Sequence, residues 1–280
     1  QYPRGIQEGN GVPADGDLWV SYSVNKEDMW ISRIPVPVEI NASAHADDDF
    51  SKNKSIAELT DWNIYSPVWA PVSLEDQWLK LQDKDPFDYA KVERKIPASK
   101  ELKVSFDLKA GQNNKGTLHI EFLDENGIAC SRMELTDDGI FRLKGGSRFA
   151  NMMKYEAGKI YHVEAVLSTV DRNIQVYVDG KRVGLRMFYA PVAAVERIVF
   201  RTGIPRTFPT VDTPADQTYD LPDAGAQDPL AEYGIANVKT SSADKDASSA
   251  LLKYADFSHY ADCFNGMEDE NVVQAIPNAK

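Results

Sequence analysis

The chain has 280 residues, 42% of them apolar and 26% charged, which is enough to bury a full core and is ordinary globular composition. A formal net charge of −12 argues against a nucleic-acid-binding surface, because phosphates would be repelled. Two cysteines, Cys130 and Cys263, exclude a disulfide-rich scaffold and read as unpaired, and no run of about eighteen apolar residues offers a membrane span.

Gln1–Asp17 carries neither a basic nor an apolar leader region. The chain stops at Lys280 within what reads as an ordered segment, so a piece of a longer multidomain protein is expected. In Gly16–Pro37, Leu18, Val20, Tyr22 and Val24 share one face at period two. A polar turn at Asn25–Asp28 leads to a second strand from Trp30 to Ile34. An isolated hairpin of this kind is marginal in water and needs a partner sheet. Asn41–Lys54 is small and acidic and reads as a linker or long loop. Ile56–Tyr89 is aromatic but broken by Pro67, Pro71 and Pro86, which predicts short strands and irregular loops.

The densest strand pattern follows. Glu101–Leu108 alternates cleanly, with Leu102, Val104, Phe106 and Leu108 on one face. Turn clusters at Gly111–Gly116 and Asp124–Gly127 flank a strand over Thr117–Leu123. Strands are then predicted over Ile128–Leu135, Ile140–Lys144, Tyr161–Ser168, Ile174–Val178, Arg197–Arg201 and Ala231–Val238. Asp137-Asp138-Gly139 reads as a hairpin turn. Strands about every ten residues with turn signals between them predict an all-β sandwich or barrel. Thr202–Gln227 is expected to be an extended surface loop, and Ala250–Lys280 the start of another element.

Lys159–Val183, with its V-Y-V-D-G-K strand and turn, resembles the signature of laminin-G-like and concanavalin-like jelly rolls. Asp179-Gly180 supplies the positive-φ turn there, and Val163, Ala165 and Leu167 are expected to pack beside Ile174, Val176 and Val178. The segment from Asp17 to Val38 resembles the last hairpin of sialidase-like β-propellers with BNR repeats, in which a propeller precedes such a sandwich. No Ser-x-Asp-x-Gly-x-x-Trp box occurs. His259–Asn278 resembles the entry into an (α/α)-barrel glycoside hydrolase domain. These resemblances imply residues 1–40 as a terminal propeller hairpin, 41–240 as a jelly-roll sandwich and 241–280 as a linker leading to a further domain. They also imply an extracellular or periplasmic bacterial protein.

Candidate chemistry is sparse. Glu268, Asp269 and Glu270 form a tight acidic cluster, but adjacent residues point in different directions. Asp47, Asp48 and Asp49 carry the hard oxygen ligands that Ca²⁺ takes, yet without EF-hand spacing they read as a charged linker, and no cofactor is expected. The four histidines, His45, His119, His162 and His259, lack ligand spacing, with His119 and His162 inside strands. Gly145-Gly146 lacks the lysine and helix of a phosphate loop. Aromatic side chains are the stronger candidates, because sugar C–H faces stack on Trp and Tyr. Trp62, Trp69, Trp78 and Tyr189 are the candidate carbohydrate contacts, against the alternative that large aromatics fill cores.

These observations predict a non-catalytic accessory module of a secreted polysaccharide-degrading protein, partnered by glycan or by neighbouring domains of its own polypeptide. Two alternatives stay open. One is a concanavalin-like glycosidase or lyase, with Glu121 and Asp124 as its nearest acidic pair. The other is a laminin-G-like protein-interaction module.

Overall fold

The computed structural model describes residues 4–6, 18–24, 28–34, 44–86, 88–203 and 227–243. In chain order the strands are β1 (Arg4–Ile6), β2 (Leu18–Val24), β3 (Asp28–Ile34), β4 (Asp47–Asp48), β5 (Trp62–Tyr65) and β6 (Val72–Glu75). They continue as β7 (Trp78–Asp83), β8 (Lys91–Ser99), β9 (Glu101–Ala110), β10 (Leu118–Leu123), β11 (Ala129–Leu135) and β12 (Ile140–Gly145). The last six are β13 (Arg148–Lys154), β14 (Ile160–Ser168), β15 (Asn173–Val178), β16 (Lys181–Met187), β17 (Val195–Thr202) and β18 (Ala231–Ser242). A 3-10 turn at Ile56–Glu58 is the one helical element among the described residues.

The strands fall into two compact units. The first is a three-stranded antiparallel sheet, β1-β2-β3, in which Leu18 pairs with Ile34 and Val24 with Asp28, so the predicted hairpin is present. The second is a sandwich of two antiparallel sheets. One runs β13-β12-β11-β10-β17-β8-β5, and the other runs β16-β15-β14-β9-β18-β7-β6 with β4 also paired to β18. This is the all-β sandwich that the alternating strands predict, of the jelly-roll type that the resemblance of Lys159–Val183 implies.

Alternation decides what each sheet buries. Leu102, Val104, Phe106 and Leu108 of β9 point inward together with Val163, Ala165 and Leu167 of β14, all essentially without solvent contact. β14 pairs with β15 so that Val163 lies opposite Val178, Ala165 opposite Val176 and Leu167 opposite Ile174. The facing sheet supplies Leu118, Ile120 and Phe122 from β10 and Ile198 and Phe200 from β17. Phe106 and Phe200 meet edge to face with ring centroids 5.0 Å apart, and Trp62 lies over Phe200 at 6.4 Å. Asp179 and Gly180, at φ of 50° and 76°, close the tight turn from β15 to β16.

Among the strands that escape the sequence pattern, β8, β13 and β16 do so for identifiable reasons. β8 places Val92 and Ile96 inward but also Arg94, buried and bonded through Nε to Asp48 at 2.7 Å, so its apolar alternation is interrupted by a charge. β13 and β16 are the terminal strands of their sheets and bury their side chains only partly.

The described part of the expected linker 41–54 belongs to the sandwich instead. Ala46 and Phe50 are buried, Ala46 N–H donates to Thr240 Oγ1 at 2.8 Å, and Thr240 N–H donates to the Ala46 carbonyl at 2.9 Å. Cys130 is a buried free thiol. Cys263, Glu268–Glu270, most of the expected loop 202–227 and the C-terminal element lie outside the described residues.

Phe200 has no solvent contact and joins rings from both sheets. Phe200→Ala is expected to lower unfolding stability by about 3–5 kcal/mol, read as a lower denaturant midpoint with an unchanged slope.

Candidate functional site

With the inner faces occupied by the core, functional side chains must stand on the outer faces or in the connections between strands. Strand register shows what the seven-stranded sheet presents. On β10, His119 and Glu121 point away from the core, opposite Glu134 and Arg132 of β11 and opposite Arg201 and Val199 of β17. Glu134 in turn lies opposite Arg142 of β12, and Lys144 of β12 lies opposite Phe149 of β13. The outcome is a charged surface spread over adjacent strands.

Several of these charges are deeply withdrawn. Glu121 is 7% exposed and Glu134 6%, so each needs a partner to offset its lost hydration. Arg132 Nε donates to Glu121 Oε1 at 2.6 Å, with Arg201 Nη2 a further 3.9 Å from the same oxygen. Arg142 Nη2 donates to Glu134 Oε1 at 2.7 Å. His119 is 3% exposed and its Nδ1 is 4.0 Å from Glu134 Oε2. Burial, reinforced by the guanidinium groups of Arg201 and Arg132, pushes its imidazole pKa down to about 3. It therefore sits in this charged surface as a neutral ring.

Aromatic rings flank the cations at one end. The Arg142 guanidinium lies 4.3 Å from the Phe149 ring centroid. Lys144 Nζ lies 4.4 Å from the Tyr189 ring and 5.9 Å from Phe149, and the Arg132 guanidinium is 5.9 Å from Tyr189. Tyr189 follows β16 and is pinned by its backbone N–H, which donates to the Cys130 carbonyl at 3.0 Å. Burial raises the pKa of its hydroxyl, so the ring is neutral at physiological pH.

The four aromatic candidates do not form one platform. Trp62 on β5 is a core residue at 8% exposure, its indole N–H donating to Asp48 Oδ2 at 3.0 Å and its ring packed against Phe50 and Phe200. This leaves little of its ring face exposed for a sugar. Trp69 is half-buried in the connection between β5 and β6. Trp78 begins β7 and lies against Gly234 of β18, where an added Cβ would come within 2.9 Å of its ring. Trp78 neighbours the inward Leu79, so it faces outward from the eight-stranded sheet. Tyr189 alone among the four stands with the cations of the seven-stranded sheet.

The sequence reading did not find Phe149, Lys144, Arg142, Arg132 or Glu134. The signal was nonetheless present: the polar positions of successive strands, laid side by side, give this surface.

Other acidic groups have different surroundings. Asp47 pairs with Lys239 at 3.0 Å, Asp48 with Arg94, and Asp49 accepts from Ser51, so the three carboxylates of this acidic run serve separate partners. Asp124 holds the turn after β10 by accepting from the backbone N–H groups of Asn126 and Ile128. A cleft of about 360 Å³ elsewhere on the sandwich is lined by Asp83, Asp85, Asp88, Asp137 and Asp228, with Lys115 as its basic residue. Burial is the main cause that raises the Asp83 pKa.

An antiparallel jelly-roll sandwich with a polar, ring-bearing outer sheet is compatible with a carbohydrate-binding module. Residues 62–217, more than half of the chain, match the family described as "Sialidase-like, CBM domain", and the chain belongs to that family. A solved structure of a sialidase is 89% identical across the whole of this chain at a TM-score of 0.79, and the chain covers 26% of that protein. A structure described as "Prominent members of the human gut microbiota express endo-acting O-glycanases to initiate mucin breakdown" is 13% identical, covering 70% of this chain and 98% of its own, at a TM-score of 0.50. An apo Crh5 transglycosylase is also 13% identical, covering 73% of this chain and 86% of its own, at 0.51. The last two show the fold alone. No curated protein sequence matches the chain.

The neutral His119 makes stability depend on pH. Its folded pKa lies below the usual value of 6.5, so the unfolded chain binds more protons between about pH 6.5 and 3. The stability it permits is complete above 6.5 and is lost as pH falls through that window. Between pH 7 and 5.5 the loss is expected to be about 1 kcal/mol. Denaturant titrations of wild type and His119→Gln at both pH values would show this slope in the wild type and its removal in the variant.

Proposed function

We propose that this chain is a non-catalytic accessory module that binds glycan through the outer face of its seven-stranded sheet. It would serve a secreted, sialidase-like polysaccharide-degrading protein. The observation that carries the reading is the family match over residues 62–217, which contain β5, β8, β10–β13 and β17 of this sheet together with β6, β7, β9 and β14–β16 of the other. The rings and cations around Tyr189 favour the outer face of the seven-stranded sheet. Tyr189, held by the Cys130 carbonyl, would supply the stacking ring, and the arginine and glutamate side chains around it would bond sugar hydroxyls.

The same reading places the module outside the bacterial cytoplasm. It takes residues 1–40 as the end of a propeller, 41–240 as the module and 241–280 as the lead-in to a further domain. Glu121 is held by Arg132, and the nearby acidic Asp124 is committed to a turn, which favours binding over hydrolysis.

Glycan-array and affinity-gel measurements on the 280-residue chain test the proposal. Retention by at least one plant, algal or host glycan is expected, with Tyr189→Ala weakening it about tenfold and Trp78→Ala leaving it unchanged. Silence across all glycans would leave bracing of neighbouring domains as the module's role. Loss on Trp78→Ala alone would move the site to the eight-stranded sheet. Hydrolysis that disappears in Glu121→Gln would make the chain an enzyme.

A further inference from the structure

The pairing of charges around Tyr189 is incomplete. Arg132 is matched by Glu121 and Arg142 by Glu134, each at hydrogen-bond distance. The Lys144 ammonium makes no ion pair or hydrogen bond with any described residue, although Glu121 and Glu134 lie near enough to act on it electrostatically. Its ammonium is half-buried between two rings, 4.4 Å from Tyr189 and 5.9 Å from Phe149. Withdrawal from water already disfavours its charge, and the Arg132 guanidinium adds repulsion, so its pKa is lowered. Cation–π contact offsets part of that cost, but an ammonium with three donors is completed only by an oxygen acceptor.

The two rings also constrain what such an acceptor can belong to. A free inorganic anion would use Lys144 and leave both rings idle. A sugar ring that carries an acidic substituent would use all three groups, with its C–H face on Tyr189 or Phe149 and its anionic oxygens on Lys144. The rest of the molecule sharpens the discrimination. With a formal net charge of −12, an acidic ligand meets general repulsion and finds a complementary sign only where cations cluster. The Asp-lined cleft has the opposite sign and would reject it.

We propose that Lys144, flanked by Tyr189 and Phe149 and backed by Arg132 and Arg142, is a subsite for an acidic sugar residue bearing a carboxylate or sulfate. This deepens the glycan-binding reading and rests on it. The subsite is built on β12 and β13 and on the segment after β16, whose backbone is tied to β11 through Cys130. It is therefore formed before ligand arrives, which limits the ordering cost of binding.

Titration calorimetry of the 280-residue chain with four probes tests it: sialyllactose, a galacturonate trisaccharide, sulfated lactose and plain lactose. At least one acidic probe should bind about tenfold or more tightly than lactose, and its affinity should fall as salt rises from about 50 to about 300 mM. The two carboxylated probes against the sulfated one identify the source of the anionic oxygens. Lys144→Met should lose about tenfold in affinity for the acidic probe, and Lys144→Arg should retain most of it. Lys109→Met, which removes the same charge from an exposed position on the eight-stranded sheet, should change nothing. Melting temperatures of the variants separate lost binding from lost folding, and Lys144→Gln replaces Lys144→Met if the latter melts early. Glycan-array hits that are all neutral, equal affinity for lactose and the acidic probes, or an unchanged Lys144→Met would overturn the subsite while leaving glycan binding intact. Array silence would overturn both.

Discussion

Phe106 of β9 and Phe200 of β17 meet edge to face at 5.0 Å across the gap between the two sheets. The contact joins the central part of one sheet to the central part of the other, and Trp62 extends it over Phe200 toward Phe50. Because side chains alternate along a strand, fixing Phe106 inward also fixes Leu102, Val104 and Leu108, and fixing Phe200 does the same for Ile198. A slip of one residue would carry His119, Glu121, Arg132 and Glu134 into the core as unsupported charge and polarity. The register is thus guarded from both sides, by apolar rows that must be buried and by charged rows that must not enter the core.

The outer face of the seven-stranded sheet then becomes the informative one. Charges with as little exposure as Glu121 and Glu134 are weak evidence for stability, because well-packed apolar residues of similar volume often serve as well or better. Their arginine partners offset the loss of hydration without adding a clear surplus. What the arrangement does provide is a set of fixed polar directions beside two aromatic rings. A polar ligand with an apolar face can use both at once, and an apolar surface patch could not discriminate in this way.

Much of this fold can be read from period two alone. β9 alternates without interruption, β10, β14 and β15 keep an unbroken inward apolar row, and their turns carry Asp-Gly or other positive-φ residues, so the packing of Val163 beside Val178 follows. β8 is obscured because Arg94 occupies an inward position and depends on Asp48, a partner 46 residues away whose role no local pattern reveals. The same contact explains why 44–54 looked like linker: its acidic run is partly consumed by Arg94 and Lys239, and its few apolar residues, Ala46 and Phe50, are too sparse to show a period. The candidate site was harder. Composition directs attention to tryptophans, and Trp62 proved to be core, whereas the cations and rings of the candidate site come from three strands, β11, β12 and β13, and from the connection that carries Tyr189, and meet only when register brings them together.

The contrast between Trp62 and Tyr189 bears on how such a face can bind at all. Both are large, partly polar rings, and both have a hydrogen bond that fixes them. Trp62 spends its indole N–H on Asp48, and its ring lies between Phe50 and Phe200, so its position serves the sandwich. Tyr189 is held through its backbone to Cys130, which leaves its ring to meet Lys144 and Arg132 on the outer side. A ring anchored by its main chain keeps its orientation without a side-chain hydrogen bond, which suits a stacking platform. A binding surface built from such anchored groups pays little ordering entropy when a ligand arrives, so modest individual contacts can sum to useful affinity.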